Sequence, residues 1–196
     1  MASRAAALRS TGPNGRVLAV EPVPRSATAL EATLAANSLR QAQVVRCAVG
    51  DHQGSAELAV PVVTSARSDT GTARIGVVGP GHQTLSVCVR TLDSLAGEFG
   101  LDRVDLIKVD VEGHERRVLD GAASILDRFR PTLVIETGHE AGGDRPAIRD
   151  RLCGLGYRML GILLDHGMAE ADWRAYVAAE PPFRRGDAHN LLLVAS

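Results

Sequence analysis

Ten residues constrain this chain more tightly than any others: Leu106-Ile107-Lys108-Val109-Asp110-Val111-Glu112-Gly113-His114-Glu115. Leu106, Ile107 and Val109 form a short apolar run, as expected of a strand covered on both faces. The run ends on an acid, turns at Gly113 and enters a stripe of Val118, Ala122, Ile125, Leu126 and Phe129 at helical spacing, with a break predicted at Asp120-Gly121. Strand, turn and helix in that order build an α/β layer. The turn crowds Asp110, Glu112 and Glu115 at the C-terminal end of the strand, where ligands bind in open α/β sheets. Carboxylates gathered there need partners or chemistry to offset their repulsion.

Lys108 is the sole lysine; every other basic side chain except histidine is arginine. The two-residue strand period puts it on the same face as Leu106 and Asp110, with its stem buried and its head paired. Two readings stand side by side: an ion pair with Asp110 or Glu136, or a group that steers a substrate oxygen.

The rest of the chain repeats the same alternation. A short helix is expected over Ala2–Arg9, closed by Gly12-Pro13-Asn14-Gly15. Val17–Val20 reads as a buried strand ending on Glu21-Pro22, and Pro24 and Ser26 open a helix that aligns Ala27, Leu30 and Leu34 and ends near Asn37. Val44–Val49 is the next strand, stopping at Gly50-Asp51. Ser55–Arg90 alternates and is rich in Gly, Ser and Thr, which predicts hairpins. Thr91–Leu95 opens a short helix, Pro131–Glu136 is a buried strand with an acid at its tip, and Ala147–Leu155 is a helix capped by Gly156. Strands follow at Tyr157–Leu164 and Asn190–Val194. Residues 165–188, which contain the single tryptophan Trp173, are the least patterned and suit a substrate lid; there Arg184 and Arg185 are positioned for an anionic acceptor. The expected class is α/β with a largely parallel sheet, in one domain of 196 residues.

Composition removes several functions. A net charge of −1 and 3% aromatic residues leave no basic or stacking surface for nucleic acid. No apolar run reaches the length of a membrane span. Cys47, Cys88 and Cys153 are far apart, without zinc-type spacing, and read as small core residues of a cytoplasmic protein. No metal site is expected.

Three strands end on acids, at Glu21, Asp110 and Glu136. Each alone is an ordinary helix-entry acid. Together they describe a carboxylate edge suited to a ligand rich in hydroxyls and amines, such as a ribose, an adenine or a cationic cofactor.

These pieces, taken in order, resemble the FkbM family of S-adenosylmethionine-dependent methyltransferases. They are Val20-Glu21-Pro22, Ala48-Val49-Gly50-Asp51, Thr91-Leu92-Asp93-Ser94-Leu95, the Leu106–Glu115 element, Val118-Leu119-Asp120-Gly121-Ala122, Pro131–Glu136, Leu155-Gly156-Tyr157 and Asn190-Leu191-Leu192. The resemblance implies a Rossmann-like class I methyltransferase sheet, mostly parallel, with helices on both faces. It implies O-methylation of a small-molecule or glycan hydroxyl: a sugar, a glycolipid or a natural product. Glu21, with Pro22, would hold the ribose; Ala48, Val49 and Asp51 would border the adenine; Asp110 would face the methionine end and the substrate. Asp110, Glu112, His114 and Lys108 are the catalytic candidates, with Asp110 or His114 as the base.

One element of that pattern is missing from the sequence: a first strand with an acidic, glycine-rich turn. Its loss from the middle of a sheet would open a gap on the order of 10 Å, so an N-terminally truncated fold is expected. Three other readings compete. A remnant without cofactor binding would keep the sheet alone. A nicotinamide oxidoreductase needs a glycine fingerprint before a helix, whereas Gly76-Val77-Val78-Gly79-Pro80-Gly81 precedes strand-like sequence. A metal enzyme would draw on Asp110, Glu112, His114, Glu136 and His139.

Overall fold

The computed structural model describes residues 14–61, 74–75, 82–138, 143–164, 167–180, 183 and 189–196. The helix expected over Ala2–Arg9, the Gly76–Gly81 run, His139, Arg184 and Arg185 lie outside them. The chain forms two compact units, Met1–Ala48 with Gly54–Val89 and Val49–Gln53 with Arg90–Ser196.

In the first unit, β1 (Val17–Val20) pairs in parallel with β2 (Ala42–Val45), and α1 (Pro24–Ala36) connects them. Pro24 takes the first helical position, where its missing N–H leaves nothing unsatisfied. Leu34 and Leu39 are buried, with Val17, Leu30, Ala42 and Val44 packed against them. All four β1 residues are only half-buried, not buried as the apolar run predicted, because β2 is the one strand beside it among the described residues. The single strand expected over Val44–Val49 is broken: the Cys47 N–H turns back to the Val45 carbonyl, and β3 (Ala48–Val49) starts afresh. Next come β4 (Gly54–Pro61), β5 (Arg74–Ile75) and β6 (His82–Arg90), in the sheet order β3-β6-β4-β5. β4 is antiparallel to both β5 and β6, and Leu58, Val60, Val87 and Val89 bury one face with Val23 and Ala48.

The second unit carries a five-stranded sheet ordered β10-β9-β11-β8-β7. Its strands are β7 (Leu106–Val109), β8 (Thr132–Thr137), β9 (Tyr157–Leu164), β10 (Gly167–Ala169) and β11 (His189–Ala195). The expectation of a mostly parallel sheet is corrected here. β7 and β8 are parallel, but β11 runs antiparallel to both β8 and β9, and β9 to β10. The chain re-enters the sheet between β8 and β9 only after passing through β10, and an inserted returning strand cannot be read from local periodicity.

The helices of this unit are α2 (Leu92–Glu98), α3 (Glu115–Asp120), α4 (Ala123–Arg128), α5 (Arg145–Gly154) and α6 (Trp173–Ala178). Strict alternation along β8 sends Leu133, Ile135 and Thr137 inward. There Leu133 and Ile135 meet Leu119, Leu126, Ile148, Leu152, Ile162, Leu191 and Leu193, all almost fully excluded from solvent. Burying each large aliphatic side chain is worth about 1.5–3 kcal/mol, so this face anchors the unit. β7 was expected to be covered on both faces, yet among the described residues it is the edge strand of this sheet and Leu106 is 55% exposed.

The helix break at Asp120-Gly121 is present. Gly121 lets the α3–α4 junction pass so close to the Gly50 carbonyl that a side-chain carbon would collide with it. Asp93 caps α4 from a distance, its carboxylate accepting from the N–H groups of Ser124 (2.9 Å) and Ile125 (3.0 Å). Thr91 Oγ1 caps α2 through the Ser94 N–H at 3.0 Å. The stretch read as unpatterned contains α6, capped by Asp172 through the Ala175 N–H. None of the three cysteines forms a disulfide; Cys47 is buried as expected, while Cys88 and Cys153 are exposed and do not serve the core. No described helix is long and apolar enough to cross a membrane.

Candidate active site

The parallel pair β7–β8 builds the first cluster. Lys108 stands opposite Val134, so Asp110 and Glu136 leave the ends of adjoining strands on the face that Lys108 occupies. The Lys108 ammonium donates to Asp110 Oδ2 at 2.9 Å and to Glu136 Oε2 at 3.2 Å. Both partners weighed from sequence are therefore engaged at once. The side chains keep 39%, 26% and 30% of their accessible surface, in the order Lys108, Asp110, Glu136. At that exposure, ion pairs add roughly 0–1 kcal/mol.

The turn after β7 is unusual backbone. Glu112 has φ +51° and Gly113 φ +96°, two successive left-handed residues of which the first is not glycine. Such a position costs of order 1–3 kcal/mol and persists only where surrounding contacts impose it. One such contact is visible: Glu115, only 3% exposed, turns its Oε1 back to accept the Gly113 N–H at 2.9 Å. His114 is the residue before α3 and caps it with no side-chain bond. Its half-buried imidazole is held below the ordinary histidine value, first by burial and then by the nearby Arg117 guanidinium. It is therefore neutral at physiological pH.

A second cluster lies on the Val49–Gln53 loop of the same unit. Asp51 meets His52 Nδ1 at 2.7 Å and accepts from Arg117 Nη1 at 3.1 Å. The His52 hydrogen bond, with a backbone hydrogen bond and then the charge of Arg117 as weaker causes, holds the Asp51 carboxyl below its usual range. The loop is tied by the Gly50 N–H to the Arg90 carbonyl and by the close passage of Gly121. Val49 packs against the main core of this unit.

Glu21, Pro22 and Ala48 belong to the first unit. Glu21 follows β1, and its Oε1 accepts the Val23 N–H at 2.9 Å, which steadies the entry to α1. Pro22 is half-buried beside it, and Ala48 is buried in the core of the antiparallel sheet.

Three participants escaped sequence reasoning. Arg117, one turn into α3, reaches Asp51 across 66 residues of sequence. Asn190 faces Glu136 directly across β11–β8, and its buried side-chain oxygen has no hydrogen-bond partner among the described residues. Arg145 is the third, and its contacts are with backbone oxygens that carry no sequence signature. For Arg117, the three-residue helical spacing from His114 was the available signal; for Asn190, it was a polar residue opening an otherwise apolar strand. Among the described residues no group of three or more His, Cys, Asp or Glu side chains has metal-holding geometry.

Comparison with known proteins bears on these residues. The sequence model for the methyltransferase FkbM domain matches residues 2–159. Methyltransferase sdnD from Sordaria araneosa is 28% identical over 165 residues, covering 69% of this chain and 62% of that protein. The chain thus spans under two thirds of that relative's length. In fold it is similar to the crystal structure of methyltransferase FkbM from Methylobacillus flagellatus KT, with a TM-score of 0.58 and 18% identity. That match covers 98% of this chain and 40% of the other.

Proposed function

Because the chain belongs to the methyltransferase FkbM domain family, we propose that it carries a methyl group from S-adenosylmethionine to a hydroxyl oxygen of a sugar, glycolipid or natural-product acceptor. The observation that carries this reading is the lysine-bridged pair Asp110 and Glu136 at adjoining parallel strand ends. Each candidate donor, by its own chemistry, suits one part of the cofactor. Glu21 has carboxylate lone pairs beyond the one given to Val23, which suits ribose hydroxyls. Asp51, kept ionised by His52 and Arg117, suits the adenine amine, and Asp110 suits a cationic sulfur centre.

When bound, S-adenosylmethionine supplies a methyl carbon already activated by its sulfonium. The residues then have two tasks, alignment and proton removal. Asp110 or the neutral His114 imidazole would take the proton of the acceptor hydroxyl as its oxygen receives the methyl group. Lys108 bridges Asp110 and Glu136, and it offers N–H donors to a neighbouring acceptor oxygen. Glu112, held in its left-handed conformation, aims the turn on which His114 sits. Three cysteines outside disulfides suit a reducing compartment, and we place the protein in the cytoplasm.

Isothermal titration with S-adenosylmethionine tests the reading. Saturable heat is expected from the native chain, and Glu21→Ala should abolish it. An absence of heat from the native chain would instead favour a sheet that does not use the cofactor.

A further inference from the structure

Three of the six aromatic side chains sit together at the end of β8: Trp173, Tyr176 and Phe183. Their rings meet edge to face at centroid distances of 5.8 Å (Trp173–Tyr176) and 5.4 Å (Tyr176–Phe183), and His189 continues the row 5.8 Å from Phe183. Arg145, the first residue of α5, lies beneath them, 3% exposed.

A buried guanidinium is costly unless its donors are satisfied. Among the described residues the Nη1 and Nη2 groups of Arg145 donate to backbone oxygens of three separate segments, while its buried Nε has no partner there. Nη2 donates to the Gly138 carbonyl at 3.2 Å; Nη1 donates to Tyr176 at 3.1 Å and, more weakly, to Phe183 at 3.5 Å. Its plane also stands 5.1 Å from the Tyr176 ring and 6.0 Å from that of Phe183. The Tyr176 carbonyl lies in the last turn of α6, the negative end of the helix, where a cation is favoured. Gly138 is two residues beyond Glu136. A rigid fork of donors therefore fixes the exit of β8, the end of α6 and Phe183 relative to one another.

We propose that Arg145 is a positioning residue for the acceptor side of the site: it holds α6 and Phe183 as a fixed aromatic wall at the end of β8 and thereby sets where Glu136 stands. This assignment of a side rests on the function proposed above, whereas the clamp is a property of the fold. Residues 173–178 and 183 are on this view an ordered wall, not a loose lid.

The composition provides two reporters. Trp173 is the single tryptophan and Lys108 the single lysine, so intrinsic fluorescence reads the wall alone and a 13C-lysine label reads the Glu136 partner alone. In Arg145→Met, Trp173 emission should move to the red and its quenching by acrylamide should rise about twofold or more as the segment opens locally. The Lys108 Cε resonance should shift in the direction seen for Glu136→Gln, while the dissociation constant for S-adenosylhomocysteine stays within about twofold. Arg145→Gln, which keeps one donor and removes the charge, should give intermediate shifts, and it serves where the methionine variant does not fold. A folded variant with both signals unchanged overturns the clamp. A loosened Trp173 with an unmoved Lys108 resonance overturns the positioning of Glu136. Failure of the native chain to bind S-adenosylhomocysteine would count against the site reading alone, because both spectroscopic signals are read without it.

Discussion

Two cations attend the end of β8, and they are held in opposite ways. Lys108 reaches it from β7, two-fifths exposed, with its charge shared between two carboxylates. Arg145 reaches it from α5, buried, with both Nη groups bonded to peptide carbonyls and no carboxylate among its hydrogen-bond partners in the described residues. Exposed ion pairs add little to stability, and buried donor networks are costly to disrupt. The contrast separates two roles on one strand. The Lys108 side can be altered with little loss of fold and is where chemistry is expected; the Arg145 side is architecture that chemistry leans on.

The largest effect that would sharpen this contrast is at Asp110. Asp110→Asn keeps the shape and removes the charge, so methyl transfer should fall by about 10³-fold, within the range for losing a positioned base. The melting temperature should move by no more than about 4 °C, because the ion pair is partly exposed. Kinetics and calorimetry on the same preparation decide it. A large melting change with retained activity would reverse the assignment of roles.

Gly121→Ala probes architecture elsewhere in the same unit. Its φ of −79° suits alanine, so strain from backbone conformation is excluded and only the collision with the Gly50 carbonyl remains. Overpacking of this kind costs about 1–3 kcal/mol. The displaced loop should carry Asp51 away from Arg117, seen as a lower melting temperature together with weaker S-adenosylmethionine binding. Alanine at Gly97, whose neighbourhood is open, is the control: within helix α2 it should raise the melting temperature slightly and leave binding unchanged.

These two sites also show what local sequence can and cannot reveal. The α3–α4 break was legible because Asp120-Gly121 interrupts a helical stripe, and α1 because Pro24 precedes aligned apolar residues. β9 was legible to the residue, from a long apolar run bounded by glycine and acid. The solvent exposure of Leu106 was not, because an apolar strand reads the same at a sheet's edge as at its centre. Nor was the antiparallel return of β11, which depends on the order in which strands assemble. In the site, the link from Lys108 to Asp110 followed from the two-residue strand period; the link to Glu136 needed the β7–β8 register, and Arg145 needed carbonyls 7 to 38 residues away.

His114 gives a smaller, pH-dependent effect. Burial, aided by Arg117, lowers its folded-state pKa below the ordinary value of 6.5. The unfolded chain therefore binds the proton more readily. The stability that follows is fully present above about pH 6.5 and is lost as pH falls below it. His114→Gln should flatten this acid slope in urea titrations. If His114 is also the base, the acid limb of the rate profile should vanish with it; if Asp110 is, the limb should survive in His114→Gln.

The smallest expected change is the one that most directly tests the contrast between the two cations. Lys108→Met removes an ammonium bonded at 2.9 Å and 3.2 Å, a geometry that in a buried setting would be costly to lose. Here the side chain is 39% exposed and water can replace it on both carboxylates. The expected loss is at most about 1 kcal/mol, a shift of roughly 2–4 °C for a chain of this size, and it should shrink in high salt. Removing Arg145 leaves buried carbonyls unpaired at about 1–3 kcal/mol each and should be insensitive to salt. Should the two substitutions destabilise equally and with the same salt dependence, the Lys108 pair would be structural, and the reason to seek chemistry at that end of β8 would be gone.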